Sequence, residues 1–353
     1  MTTGLISNVS IKGIAACVPV RSESNLDYEL LTREERIKLV KTTGIEKRRI
    51  AEGDQCTSDF CFIAAERLIA DLKWKKDEIE ALIFVSQTAD YPYPATSIIL
   101  QDRLGLPKAS ICFDINLGCS GYVYGLGIIS NLVSSMNIKK GLLLVGEVAA
   151  RTTTITDRSS YPLFGDAGTA TAVEYDTKAD KIYFDYGSDG SGHKAILMKS
   201  GNIGGRFPVT EDSLKVKIVS KGIERNDLHV ILNGIDVFNF SITEVPRSVK
   251  QLVEKFDINL ESIDAFVLHQ ANFIMNDTIR KKLKLPAEKM FYSLKDFGNT
   301  SSASIPLTIV HALQKRVREE KIKLLISGFG VGLSWGTMVI DVDKIVCPDI
   351  LEI

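Results

Sequence analysis

The sequence predicts an α/β protein built from two similar halves. Apolar strand-like runs alternate with longer amphipathic stretches along the chain. Short strings of the first half recur, in the same order, in the second. At 353 residues the chain also exceeds one small domain and has room for a sizeable layered core.

Taken in chain order, the strand-like runs fall at 81–85, 111–113, 142–145, 265–268 and 324–326, with helical stretches such as 58–72 and 274–283 between them. Ile79-Glu80-Ala81 recurs as Ile263-Asp264-Ala265, Gly118-Cys119 as Gly298-Asn299, and the string LLLVG at 142–146 as LLISG at 324–328. The offsets, 184, 180 and 182 residues, are nearly one value. The halves would meet near 174–180, which divides the chain into 1–176 and 177–353. Equivalent elements would then face a common centre and set Cys119 opposite Asn299. Residues 187–233, glycine-rich at first and mixed in charge later, read as an excursion of turns and loops. An ordinary surface insertion fits it best, with a lid or partner-binding element as the alternative.

Hydrophobic residues at 45% and charged residues at 25% are ordinary globular usage and exclude a disordered or fibrous chain. A formal charge of -1 provides no global basic field for nucleic acid. No run of about 18 apolar residues predicts a membrane span, and residues 1–12 lack a basic run followed by an apolar stretch. The expected compartment is the cytoplasm. Six cysteines lie at uneven spacings with no CxxC pair and no histidine cluster, so neither a metal site nor a disulfide framework is expected. Most should be buried, reduced thiols.

One of the six has chemical surroundings. The segment from Phe113 to Gly121 starts as a strand, passes through small residues and enters an apolar stretch of helical spacing, which puts Cys119 at a strand-to-helix turn. Exposed N–H groups at a helix start favour thiolate, so the turn predicts a lowered thiol pKa and a nucleophile. A small cysteine beside a glycine serves packing just as well; the partners decide. His269, in Leu268-His269-Gln270-Ala271-Asn272, follows directly on a strand, where its side chain can project into a crevice. The other histidines, His193, His229 and His311, read as structural or solvated. Asn299 sits among small residues ahead of a helix and provides an amide donor that cannot lose its proton. Neutral His and Asn donors suit the negative charge of an enolate, such as decarboxylation of a malonyl thioester produces. The glycine-dense string at 327–336 lacks the register of a nucleotide-binding loop. Its backbone N–H groups, with that of Cys119, could form an oxyanion hole.

Together GCSG at Cys119, HQAN at His269, GNTSSASIP from Gly298 and the closing GFGVGLSWG resemble the β-ketoacyl-acyl carrier protein synthase III family. The likeness runs nearly end to end, including Asn25, residues 43–51, Thr156-Asp157-Arg158 and residues 164–168. It implies the thiolase fold, two βαβαβ-type halves in a layered αβαβα architecture, a homodimer, and a ping-pong reaction without a cofactor. Cys119 would take an acyl group from a coenzyme A or other acyl thioester. His269 and Asn299 would promote decarboxylation of malonyl-acyl carrier protein, whose carbanion attacks the acyl-cysteine and so initiates fatty acid synthesis.

The resemblance assigns further roles. Tyr93 matches an aromatic that crosses the dimer interface and limits the acyl pocket, Asn272 a residue of the pantetheine tunnel, Phe329 an aromatic beside the reactive cysteine, and Arg158 a nucleotide contact. Tyr93, Asn272 and Phe329 fit packing roles equally. Val331 stands at the usual oxyanion-hole glycine, where a backbone donor survives the change. Arg280, Lys281 and Lys282 lie where the family docks its acidic carrier protein, or form a solvated helix face. The chain departs from the pattern at Lys38 and Thr42, where relatives stack the adenine with Trp and Arg, and at Ile274, where they have Arg. These departures favour a non-acetyl starter and leave a specialised enzyme of a secondary-metabolite or surface-lipid pathway as the alternative. A Cys, His, Asn order also describes papain-like proteases, but the disulfides and flanking signature they carry are absent.

Overall fold

The computed structural model describes residues 2–136, 138–201 and 204–353. Two sheets carry the chain. The first orders its strands Leu351–Glu352, Val9–Val18, Ala167–Tyr175, Lys140–Glu147, Ile79–Val85 and Ile111–Ile115. The second orders them Thr2–Ile6, Ile182–Ser188, Ser334–Asp343, Lys321–Gly330 and Ala265–Leu268.

The two sheets repeat one pairing pattern. In the first, Ile79–Val85 runs parallel to Lys140–Glu147, which pairs antiparallel with Ala167–Tyr175, which pairs antiparallel with Val9–Val18. In the second, Ala265–Leu268, Lys321–Gly330, Ser334–Asp343 and Ile182–Ser188 follow in the same senses. The parallel neighbour Ile111–Ile115 of the first sheet has its counterpart in a single parallel bridge from Phe266 to Met290. The recurring strings are therefore the central strands of two equivalent units. Each end of the chain crosses over: Thr2–Ile6 pairs with Ile182–Ser188, and Leu351–Glu352 with Val9–Val18.

Five layers follow from which faces are apolar. Along Ile79–Val85, Ile83 and Val85 face the centre while Leu82 and Phe84 face outward; Leu143 and Val145 alternate with Leu142 and Leu144 in the same way. Strands covered on both faces read as unbroken apolar runs. The helices Gly121–Met136 and Ser304–Glu319 fill the centre and bury residues almost all round. Leu126 and Ile129 share one buried apolar cluster with Ile305, Leu307 and Ile309, and with Ile83 of one sheet and Ile326 of the other. Burying one such side chain stabilises the fold by about 1.5–3 kcal/mol.

Outside the first sheet lie Thr57–Leu72 and Thr96–Arg103, and outside the second Gly234–Phe256 and Phe273–Leu283. Asn272 starts the last of these helices, its Oδ1 accepting the Met275 N–H at 2.9 Å. Several strands exceed the expected runs, notably 140–147 and 321–330, because glycine and polar residues at their ends go on pairing. In the 187–233 excursion Ile196–Met198 pairs with Val230–Leu232, and Lys217–Ser220 with Ile223–Arg225. Asn202 and Ile203 of this segment lie outside the described residues.

Candidate active site

The ends of the central strands open on one cavity of about 550 Å³. Cys119 sits in it between the Ile111–Ile115 strand and the start of the Gly121–Met136 helix, only 8% exposed. Its Sγ lies 3.8 Å from Ser301 Oγ. Gly330 presses against it: with φ at 153°, an added β-carbon would stand 2.7 Å from Cys119 Cβ and 2.8 Å from Sγ. The expected lowering of the thiol pKa is corrected here. Burial pushes Cys119 up, and hydrogen bonding from the Val331 backbone and the Ser301 hydroxyl offsets this only in part. At rest Cys119 carries a thiol.

His269 follows Ala265–Leu268 and is fully buried. Its backbone is pinned, with its N–H donating to Ser327 O at 2.8 Å and its carbonyl accepting Asn276 Nδ2 at 3.0 Å. Nδ1 lies 2.8 Å from Ser304 Oγ, which itself accepts the Gln270 N–H at 3.3 Å. When that hydroxyl donates its hydrogen to Nδ1, the ring proton stands on Nε2. Burial drives the imidazole pKa down to about 3, so the ring is neutral at physiological pH. The Phe329 ring packs against it nearly at right angles, ring centres 5.5 Å apart.

Asn299 hangs from a parallel bridge to Phe164, its N–H donating to Leu163 O at 2.9 Å and its carbonyl accepting the Gly165 N–H at 3.1 Å. Its Oδ1 accepts the Ser301 N–H at 2.9 Å, which fixes the amide plane and leaves the NH2 group as the remaining donor. Cys119, His269, Asn272, Asn299, Phe329 and Val331 all line the cavity.

The other candidates lie outside its wall. Tyr93 is 87% exposed. Arg158 is exposed and lies along Gly222 of the Lys217–Arg225 hairpin. On the Phe273–Leu283 helix, Arg280 Nε meets Asp277 Oδ1 at 2.8 Å and Lys281 Nζ meets Asp277 Oδ2 at 2.7 Å. Lys282 Nζ donates to Ile242 O at 3.0 Å. Among the described residues no group of three or more His, Cys, Asp or Glu side chains could hold a metal ion.

Several cavity residues escaped sequence reasoning. The excursion is not merely a surface insertion: Ile196, Leu197, Met198, Val230 and Leu232 wall the cavity. Gln87, Thr88 and Asn116 line it as well. Glu147, 2% exposed, accepts the Gln87 N–H at 3.0 Å and the hydroxyls of Thr88 at 2.8 Å and Ser86 at 3.2 Å. Burial pushes its carboxyl up to about 7, these hydrogen bonds resisting. A signal was present: at the repeat offset of 182, Glu147 stands where the second half has Phe329.

Two equivalent sheet-and-helix units, layered around a cavity at their strand ends, define a thiolase-fold condensing enzyme that transfers acyl groups. Residues 113–190 match the model of 3-oxoacyl-[acyl-carrier-protein] synthase III and residues 253–342 its C-terminal model. The chain is 31% identical to the β-ketoacyl-[acyl-carrier-protein] synthase III of Fusobacterium nucleatum, over 95% of this chain and 99% of that protein. With synthase III 2 of Halalkalibacterium halodurans the identity is 33%, over 95% and 97%. A 3-oxoacyl-(acyl-carrier protein) synthase from Burkholderia xenovorans superposes with a TM-score of 0.93 at 36% identity, covering 100% of this chain and 99% of that one. The chain belongs to the β-ketoacyl-[acyl-carrier-protein] synthase III family.

Proposed function

We propose that Cys119 accepts an acyl group from a coenzyme A or carrier-protein thioester and hands it to a malonyl-acyl carrier protein, making a 3-oxoacyl-acyl carrier protein at the start of fatty acid synthesis. The observation that carries this reading is one cavity holding a buried thiol, a neutral imidazole and an oriented amide. In the first half-reaction Sγ attacks the thioester carbonyl. The new carbon-sulfur bond replaces the donor's, and the thiol proton leaves with the departing thiol. The backbone N–H groups of Cys119 and Val331 receive the oxyanion, each such donor being worth about 10²- to 10³-fold.

In the second half-reaction the malonyl thioester oxygen faces His269 and Asn299. Carbon dioxide departs, the electron pair it leaves enters the enolate, and the enolate carbon attacks the acyl-cysteine and expels the thiolate. A charged imidazole would be a stronger donor but would have to be protonated; the neutral one needs no proton from solvent.

Phe329 holds the imidazole edge-on, Asn272 lines the pantetheine path and Arg158 meets a nucleotide. Arg280, Lys281 and Lys282 receive the acidic carrier protein. The enzyme acts as a cytoplasmic homodimer of chains divided near 176, with Tyr93 reaching into the partner's acyl pocket. A specialised pathway with a non-acetyl starter is the second reading, favoured by Lys38, Thr42 and Ile274 where the family clamps coenzyme A.

Intact-protein mass spectrometry with a panel of acyl thioesters tests the proposal. An adduct should form on the wild type and vanish in Cys119→Ala. His269→Ala and Asn299→Ala should still acylate but lose release of carbon dioxide from malonyl-carrier protein. Equal loss of both half-reactions would contradict the assigned roles.

A further inference from the structure

Beside Cys119 the cavity wall carries two amide side chains, Gln87 and Asn116, that no other described residue satisfies. Gln87 lies against the backbone just before the nucleophile. A β-carbon at Gly118 would meet its Oε1 at 2.5 Å, so glycine there makes room for the amide. The turn that presents it is held firmly. Glu147 Oε1 accepts the Gln87 N–H at 3.0 Å, and Thr88 Oγ1 accepts the Val148 N–H at 2.9 Å while meeting Glu147 Oε2 at 2.8 Å. Asn116 continues the Ile111–Ile115 strand three residues before Cys119.

The same cavity is lined by Asn272 and Met275 at the start of the basic Phe273–Leu283 helix, and by Val237 of the Gly234–Phe256 helix. A carrier arm that docks by the Phe273–Leu283 helix would reach Cys119 past Asn272 and Met275. That leaves the wall at Gln87 and Asn116, which lines the same cavity beside Gly118, to receive the acyl chain. A plain alkyl chain there would strip water from both amides and return no hydrogen bond. A hydroxyl both donates and accepts, and an oxo group accepts, so either would complete them.

We infer that Gln87 and Asn116 form a polar acyl subsite that selects a starter bearing a hydroxyl or oxo oxygen on its first few carbons. This deepens the reading of Cys119 as acyl carrier and rests on it. The substituent takes no part in the transfer: the donor carbon-sulfur bond breaks, the bond to Sγ forms, and the thiol proton goes to the departing thiol.

The test is competition at equal concentration between butyryl- and 3-hydroxybutyryl-coenzyme A on the full chain, read as the early adduct ratio by intact-protein mass spectrometry. The hydroxylated adduct should exceed the plain one about tenfold, as one hydrogen bond of about 1.4 kcal/mol gives. In Gln87→Leu and in Asn116→Leu the excess should fall severalfold; both positions are exposed, and a thermal melt checks the fold of each variant. Adducts without preference, or a ratio unchanged in both variants, overturn the subsite alone. No adduct from either thioester, nor from the same acyl groups on carrier protein, overturns the acyl-carrier reading and the subsite with it.

Discussion

Replacing Glu147 by glutamine should change how stability depends on pH, and the size of the effect follows from its burial. Folded, the carboxyl titrates at about 7; its ordinary value is 4.5. Because the folded value is the higher, the native state binds the proton more tightly. The stabilisation is complete below the unfolded value and is lost as pH rises through the folded one. The loss amounts to about 3 kcal/mol above pH 7. Glutamine does not titrate and can keep the Gln87 N–H bond through its carbonyl oxygen. Asp166, which burial also raises, to about 6, is common to both proteins and cancels in the difference. Urea unfolding of wild type and Glu147→Gln at steps from pH 5 to pH 8 measures it. The stability of the variant relative to wild type should rise by roughly 2–3 kcal/mol across that range. Parallel curves at every pH would refute the argument and show that Glu147 stays ionised in the fold.

Three further outcomes are expected. Gly330→Ala should cost about 1–3 kcal/mol through its positive φ and its contact with Cys119, and should abolish acylation; thermal melts and adduct formation check this, and a fully acylating variant would contradict the packing. Alkylation of Cys119 by iodoacetamide should keep accelerating as pH climbs past the ordinary thiol value of 9.0, since burial raises the pKa; a plateau near neutrality would contradict it. Lys281→Glu should raise KM for malonyl-carrier protein severalfold at low salt, with little change in kcat and a weaker salt dependence. An unchanged KM would remove Lys281 from the docking face.

What the sequence could reveal depended on distance along the chain. The strings at 142–146 and 324–328 are local, so the repeat, the two central strands and the layered class are readable in the sequence. His269 and Asn299 were readable because strand ends and small-residue turns announce themselves in neighbouring residues. The thiol pKa was not, because Cys119 owes its raised value to side chains from distant segments that exclude water, while a helix start is a local cue. Gln87, Asn116 and Glu147 stayed hidden for the same reason: they meet at Cys119 only once the Ile79–Val85, Ile111–Ile115 and Lys140–Glu147 strands lie side by side. The excursion misled because its wall-forming strands are three residues each, too short to show a period.

The two central helices have a joint electrical consequence. Gly121–Met136 begins just after Cys119 and Ser304–Glu319 just after Asn299, so both start beside the cavity, one from each half. Each helix start carries roughly half a positive elementary charge. The pair thus supplies about one full positive charge near the cavity, where the proposed reaction would form an acyl oxyanion and an enolate. No lysine, arginine or metal has to be buried to provide it, and none of that charge can be titrated away. An anion-stabilising field with no ionisable source survives any pH at which the protein stays folded, so the steepness of an activity profile would report on the substrates, Cys119 and Glu147 rather than on the helix starts.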